Sequence, residues 1–93
     1  MKTIKKVEVK IVFCHYIPKE MEQNVIYISE EFEIANHLCL CGCGVQAPTP
    51  LDDKSGWRVV RNGDRVSFTP SILNPICPNN SHYIITNNIA NFV

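Results

Sequence analysis

The segment "HLCLCGCG", residues 37–44, places three cysteines at alternate positions with glycines between and after the last two. This feature constrains the fold most, because a chain of 93 residues buries little apolar surface and often needs a crosslink. Clustered thiols can bind a metal, attack a substrate or form disulfides. The cysteine count, five, is odd, and alternate residues of an extended strand lie about 6.5–7 Å apart, too far for easy pairing. Disulfides are therefore the weakest of the three interpretations.

Charge and hydropathy exclude two classes of partner. Nine basic and nine acidic side chains balance to a net charge of zero, whereas nucleic-acid and anionic-membrane surfaces need excess Lys and Arg. The start, "MKTIKKVEVKIVF", interrupts its apolar positions with charges and so lacks the apolar core of a signal peptide. Since no apolar run is long enough to span a bilayer, we expect a cytoplasmic protein that binds neither nucleic acid nor membrane.

Hydrophobic periodicity predicts β-structure throughout the chain. Residues 6–13, "KVEVKIVF", alternate apolar and charged side chains and predict a half-buried strand. Further β-prone runs occupy residues 25–29 and 32–40. Residues 57–68 predict a hairpin around "NGD", and residues 82–92 predict a second hairpin around "NN".

The prolines and glycines predict two long loops, residues 39–56 and 69–82, which carry most of the Cys, His, Ser and Asn side chains. The sequence therefore predicts one domain over residues 1–93: a mainly β, antiparallel domain of hairpins with little helix, whose loops a metal ion joins. The predicted core is small and consists of Val7, Val9, Ile11, Phe13, Ile26, Ile28, Trp57, Val59, Val66, Phe68, Ile84 and Phe92.

The cysteine pattern predicts a zinc site. Zinc takes four thiolate or imidazole ligands in a tetrahedron, and the candidates form two groups, Cys39, Cys41 and Cys43 in one loop, and Cys77 and His82 in the other. Five candidates compete for four positions, and the residues alone leave that choice open. Zinc is favoured over an iron–sulfur cluster because His82 offers nitrogen and ferredoxin cysteine spacing is absent.

The second loop also carries the components of a nucleophile–base pair. Ser71 and His82 could act as nucleophile and base in acyl transfer. Ser71 and Ser81 could instead form hydrogen bonds to loop backbone groups, and the residues alone favour that structural role. His37 is either a donor to a metal ligand or a plain surface imidazole. Cys14, alone on a strand, is interpreted as a small buried hydrophobe.

Four motifs together resemble a small bacterial family of unknown function. They are "H-x-C-x-C-G-C-G", "GW", "V-S-[FL]-x-P-S-I" and "S-H-Y-[IW]-I", and the resemblance covers the chain from Ile17 to its end. That family is encoded beside ubiquitin-like conjugation genes: multi-ubiquitin proteins and homologues of activating and conjugating enzymes. Some members carry the label ammonia monooxygenase, which these residues do not support.

The resemblance implies site residues position by position. The family's cysteine cluster matches Cys39, Cys41 and Cys43, and the later motifs match Gly56, Trp57, Ser67, Pro70, Ser71, Ile72, Ser81, His82 and Tyr83. The family's next cysteine lies two residues before the Ser-His pair, where this chain has Asn79. The fourth ligand implied here is therefore Cys77 arriving by a different loop path, or else His82.

The resemblance also implies a function in a ubiquitin-like modification pathway. Its leading version is a peptidase that processes or deconjugates the ubiquitin-like modifier, with Ser71 as nucleophile and His82 as base on a zinc-stabilised scaffold. A second version uses zinc itself to activate water. A third is a non-catalytic adaptor that recruits the modifier or its activating- and conjugating-enzyme homologues. A redox role ranks below these, because no Lys or Arg adjoins the cysteines to activate a thiol.

Overall fold

A computed structural model describes residues 6–52, 56–74, 76–79 and 81–93. Within these ranges the regular elements are ten β-strands, and no helix long and apolar enough to cross a membrane is found there. The strands are β1 (Lys6–Glu8), β2 (Lys10–Phe13), β3 (Val25–Ser29), β4 (Ile34–His37), β5 (Thr49–Pro50), β6 (Arg58–Asn62), β7 (Arg65–Thr69), β8 (Ile72–Leu73), β9 (His82–Thr86) and β10 (Ile89–Phe92).

The strands form two four-stranded sheets and one hairpin. The first sheet has the order β1-β10-β9-β8, the second has the order β2-β3-β4-β5, and β6 pairs with β7. All pairs are antiparallel except β2 with β3, which is parallel. The predicted mainly β, antiparallel fold is thereby confirmed.

Both predicted hairpins are present, and local turn chemistry explains them. Gly63 in the β6–β7 turn has a φ of +67°, and Asn87 and Asn88 between β9 and β10 have φ values of +48° and +67°. Glycine and asparagine are the residues that adopt this left-handed region most readily, and tight hairpin turns require it. The turn residues therefore favour these two strand pairs locally, and Asn88 also bonds Val66 of β7.

The predicted continuous strand 6–13 is instead two strands in different sheets. Its midpoint, Val9, is buried, and the Val9 amide donates to the Asn88 carbonyl at 2.8 Å, while the next amide, Lys10, donates to Asn24 at 3.0 Å. The chain thus passes from the first sheet to the second at Val9. The sequence pattern did not reveal this change of sheet, because apolar and charged residues continue to alternate on both sides of Val9.

Two short strands lie inside the predicted loops, so the loop prediction for those residues is wrong. β5 occupies part of 39–56 and β8 occupies part of 69–82, and each is the outermost strand of its sheet. An outermost strand tolerates proline, because its unpaired side needs no amide donor. Residues 53–55, 75 and 80 of those loops lie outside the described residues, and a single domain over 1–93 remains a prediction.

The core prediction is largely right, with two errors. Phe13 and Ile84 are 42% and 40% exposed. On β9 the inward positions belong to Tyr83 and Ile85, both fully buried, so the alternation runs one residue out of phase with the prediction. The predicted core residues that are buried are Val9, Ile26, Ile28, Val66 and Phe68, and those packed half-buried against them are Val7, Ile11, Trp57, Val59 and Phe92.

Candidate active site and metal centre

Ser71 and His82 lie on one face of the first sheet, where β8 begins beside β9. Ser71 immediately precedes β8, and His82 is the first residue of β9; the register pairs Ile72 with Tyr83 and Leu73 with His82. Diagonal neighbours across an antiparallel pair are close enough for a long side chain to bridge. The His82 Nε2 atom lies 2.7 Å from the Ser71 Oγ atom, and both side chains are half-buried.

Comparison of the described serines separates Ser71 from the others. The Ser29 hydroxyl donates to a backbone carbonyl, the Ser67 hydroxyl accepts a backbone amide, and the Ser81 hydroxyl contacts a cysteine sulfur. Among these serines, Ser71 is the one whose hydroxyl meets an imidazole, that of His82. A serine hydroxyl hydrogen-bonded to an imidazole nitrogen is the arrangement that activates oxygen as a nucleophile.

The four predicted cysteine ligands converge at one point. The Sγ atoms of Cys39, Cys41, Cys43 and Cys77 all lie within 4.8 Å of one another. Cys77 Sγ is 3.3 Å from both Cys41 Sγ and Cys43 Sγ, and Cys39 Sγ is 3.5 Å from Cys41 Sγ. Four sulfurs around a tetrahedral ion at about 2.3 Å would be separated by about 3.8 Å, so this donor set fits such an ion.

A turn within the predicted loop 39–56 gathers the first three cysteines. The Cys39 amide donates to the Val45 carbonyl at 2.7 Å, and the Gly42 amide donates back to the Cys39 carbonyl at 3.1 Å. Gly42 has a φ of +93°, a backbone conformation that side chains disfavour. The glycine therefore lets the chain fold back so that alternate thiols point to a common centre instead of along a strand face.

His82 is not part of the cysteine cluster, since its ring contacts Ser71. Of the five candidate ligands, the structure brings the four cysteines together and leaves the imidazole for the serine. The two sites nevertheless share one connecting segment, 74–81. The Asn74 amide donates to the Ser81 carbonyl at 2.9 Å, and the Cys77 amide donates to the Asn74 carbonyl at 3.2 Å.

Polar groups of that connecting segment surround the cysteine sulfurs. The Asn79 backbone amide donates to Cys77 Sγ at 3.4 Å, the Asn79 side chain donates to Cys41 Sγ at 3.5 Å, and the Ser81 hydroxyl is 3.4 Å from Cys77 Sγ. Burial raises the pKa of the Cys77 thiol, but the hydrogen bonds from Ser81 and Asn79 outweigh it and lower the pKa to about 6. Thiolate is the form that binds metals, so these residues favour the ligand state.

His37 and Tyr83 form a buried polar contact that neither sequence interpretation of His37 anticipated. His37 Nε2 lies 2.7 Å from the Tyr83 hydroxyl, which joins β4 of the second sheet to β9 of the first. Burial lowers the pKa of His37 to about 4 and raises the pKa of Tyr83. The imidazole is therefore held neutral inside the protein and is not a surface group, and its partner Tyr83 also contacts Cys39 of the cluster.

A known protein family matches most of this chain. A family model described as bacterial ubiquitination-like system serine protease (BubE) matches residues 13–93. The chain belongs to the BubE family. The matched range contains all four clustered cysteines as well as Ser71 and His82, and the resemblance to a family of bacterial ubiquitin-like systems is confirmed at this level. No curated protein and no solved structure matches the chain.

Proposed function

We propose that the protein is a serine peptidase that cleaves the ubiquitin-like modifier of its pathway from a C-terminal extension or from a conjugate. Ser71 is the nucleophile and His82 is the general base. The observation that carries the proposal is the 2.7 Å contact between Ser71 Oγ and His82 Nε2. Membership of a family described as serine proteases of bacterial ubiquitination-like systems supports both the reaction class and the pathway.

The reaction needs these two side chains in two half-reactions. Ser71 Oγ attacks the carbonyl carbon of the scissile bond as its proton passes to His82 Nε2; the tetrahedral intermediate then breaks its C–N bond, and His82 protonates the departing amine. Water next attacks the acyl-serine, giving its proton to His82, and the carboxylate product leaves as Ser71 recovers its proton. His82 must begin with Nε2 unprotonated, the tautomer that accepts the Ser71 hydroxyl.

We propose zinc as the ion held by Cys39, Cys41, Cys43 and Cys77. Four thiolates suit zinc and complete its tetrahedron, so a bound ion would supply a crosslink and not a position for water. This donor set therefore favours the Ser/His mechanism over the version in which zinc activates water. The crosslink would hold the connecting segment 74–81, whose ends lead into β8 and β9.

A direct test uses the modifier fused to a C-terminal tail. Incubation with the protein should release the tail, and Ser71→Ala or His82→Ala should each reduce the rate by at least about 100-fold, the usual effect of losing a nucleophile or base. Ser67→Ala is the matched control, since the Ser67 hydroxyl accepts the Asn87 amide and does not contact an imidazole. Tail release by Ser71→Ala at the wild-type rate would remove the serine mechanism. Loss of cleavage on chelation with the fold intact would instead favour zinc chemistry.

The adaptor remains the second candidate, because two exposed aromatic side chains lie together in the loops of the second sheet. Tyr16 and Phe32 are 70% and 50% exposed, and their rings stack with centroids 5.3 Å apart. Exposed aromatic clusters are typical of binding surfaces. An adaptor would bind the modifier or its activating- or conjugating-enzyme homologue saturably without turnover. A cluster of cysteines that binds metal is typical of a reducing compartment, so we expect these partners to be met in the cytoplasm.

A further inference from the structure

We infer that the substrate binds as an extended strand along the unpaired edge of β8 and places one apolar side chain in the cavity beside that edge. This inference rests on the proposed peptidase function and deepens it. It specifies how a peptide reaches Ser71 and which chemical class of side chain is preferred near the scissile bond.

The hydrogen-bond pattern of β8 shows which groups are available. The Asn74 amide donates to the Ser81 carbonyl of the neighbouring chain segment at 2.9 Å, so the backbone groups of Asn74 point toward β9. In an antiparallel ladder these groups alternate in direction along a strand. The amide and carbonyl of Leu73 therefore point to the opposite edge. β8 is the outermost strand of its sheet, and no strand in the described ranges pairs with that edge.

A cavity of about 230 Å³ adjoins the same edge. It is lined by Ile72, Leu73 and Asn74, the three residues that follow Ser71, and also by residues 46–49 and Trp57. One water molecule occupies about 30 Å³ in the liquid, so the cavity has the volume of several waters. That is enough space for one large side chain. Among the described residues, no strand pairs with the outward edge of β8, so the Leu73 amide is available there to a guest strand.

The side chains around the cavity predict an apolar guest. Ile76 is 74% exposed and Leu73 is 55% exposed, and both line the cavity together with the half-buried Trp57. Covering exposed aliphatic and aromatic surface is favourable in proportion to its area. A substrate strand on β8 would cover these side chains, and its backbone bonds to Leu73 would hold its carbonyl groups next to Ser71. Backbone pairing supplies affinity for any extended peptide, and the cavity supplies the preference.

The backbone part of the proposal is tested with Leu73→Pro, which removes the outward amide donor. Proline is accepted on edge strands where the amide faces solvent, so we expect folding to be retained. Leu73→Ala is the matched comparison, since it shortens the side chain and keeps the amide. For the modifier–tail fusion, kcat/KM of Leu73→Pro should be at least tenfold below that of Leu73→Ala. Equal values for two folded variants would overturn the strand pairing.

The side-chain part is tested with a library of acetylated tetrapeptide coumarylamides in which each position is varied. We expect one position to prefer aliphatic or aromatic residues, and Ile76→Asp, a change at an exposed site, should raise KM for those peptides at least tenfold. Val60→Asp is the control, because Val60 is 53% exposed but lies outside the cavity, and its KM should match wild type. A library without apolar preference at any position would overturn the cavity assignment.

The experiments distinguish failure of the peptidase function from failure of the binding mode. If Ser71→Ala is inactive while Leu73→Pro and Ile76→Asp match their comparison variants, the peptidase function stands and the binding mode is wrong. If Ser71→Ala cleaves like wild type, the function and the binding mode are both withdrawn.

Discussion

Replacing one clustered cysteine should destabilise the domain by several kcal/mol. The ion would join Cys41 to Cys77, which are 36 residues apart in the chain. Closing a loop of that length removes about 4 kcal/mol of conformational freedom from the unfolded state in the chain-entropy treatment of crosslinks. A domain of 93 residues has a total stability of about 5–14 kcal/mol at roughly 0.05–0.15 kcal/mol per residue. Loss of the crosslink is therefore a large fraction of the stability.

The perturbation is Cys41→Ser, and Cys14→Ser is its matched control. Both cysteines are half-buried, but Cys14 lies outside the cluster, with its Sγ 3.8 Å from the Ile28 carbonyl. At about 4–8 °C per kcal/mol for a domain of this size, Cys41→Ser should lower the melting temperature by about 15–30 °C. Cys14→Ser should lower it by a few degrees.

The assay combines thermal unfolding, followed by the fluorescence of Trp57, with metal content by atomic absorption. We expect about one zinc per wild-type chain, the same in Cys14→Ser, and a strong loss in Cys41→Ser. Chelation of the wild-type protein should reproduce the lowered melting temperature. A purified protein without metal, well folded and unaffected by chelator, with both variants melting alike, would refute the crosslink and the assignments built on it.

Two further predictions concern stability. Tyr83→Phe should lower the free energy of unfolding by about 1–3 kcal/mol, because His37 Nε2 loses its buried partner at 2.7 Å. Denaturant unfolding should show this loss. Tyr16→Phe is the control and should show no measurable change, since the Tyr16 side chain is 70% exposed. Asn88→Ala should cost about 2 kcal/mol, because the Asn88 side chain accepts the Val66 amide at 2.7 Å and Asn88 has a φ of +67°. Asn88→Gly, which loses the same bond but tolerates the backbone conformation, should cost less, and an equal loss in both variants would contradict the backbone contribution.

Local features of the sequence predicted much of the fold. The turn "NGD" and the turn "NN" favour their hairpins because each turn lies directly between its two partner strands, within residues 58–69 and 82–92. By contrast, the change of sheet at Val9, the parallel pairing of β2 with β3 and the strands β5 and β8 depend on partners that no tight turn joins to them. Their own residues carry too weak a signal: β5 and β8 contain two residues each.

The candidate site likewise has features that the sequence predicts and a contact that only the structure shows. Three thiols interleaved with glycine indicate a metal site from composition and spacing alone, and the second loop offers Cys77 and His82 as candidates for the fourth ligand. The sequence nominated Ser71 and His82, yet its residues alone favoured a structural role for Ser71 in bonding the loop backbone. The register of β8 against β9 decides their contact, because it sets which side chains are diagonal neighbours on one face.

What the sequence by itself determined is the chemistry available: the ligand types, the hairpin turns, the apolar period and the family motifs. What the tertiary structure decided is which of those groups meet, including the cysteine set without His82, the Ser71–His82 contact, the His37–Tyr83 pair and the unpaired edge of β8. The physical reason is that residue type and spacing act over a few residues. Contact between segments that no tight turn joins depends on strand register, which packing of the whole chain determines.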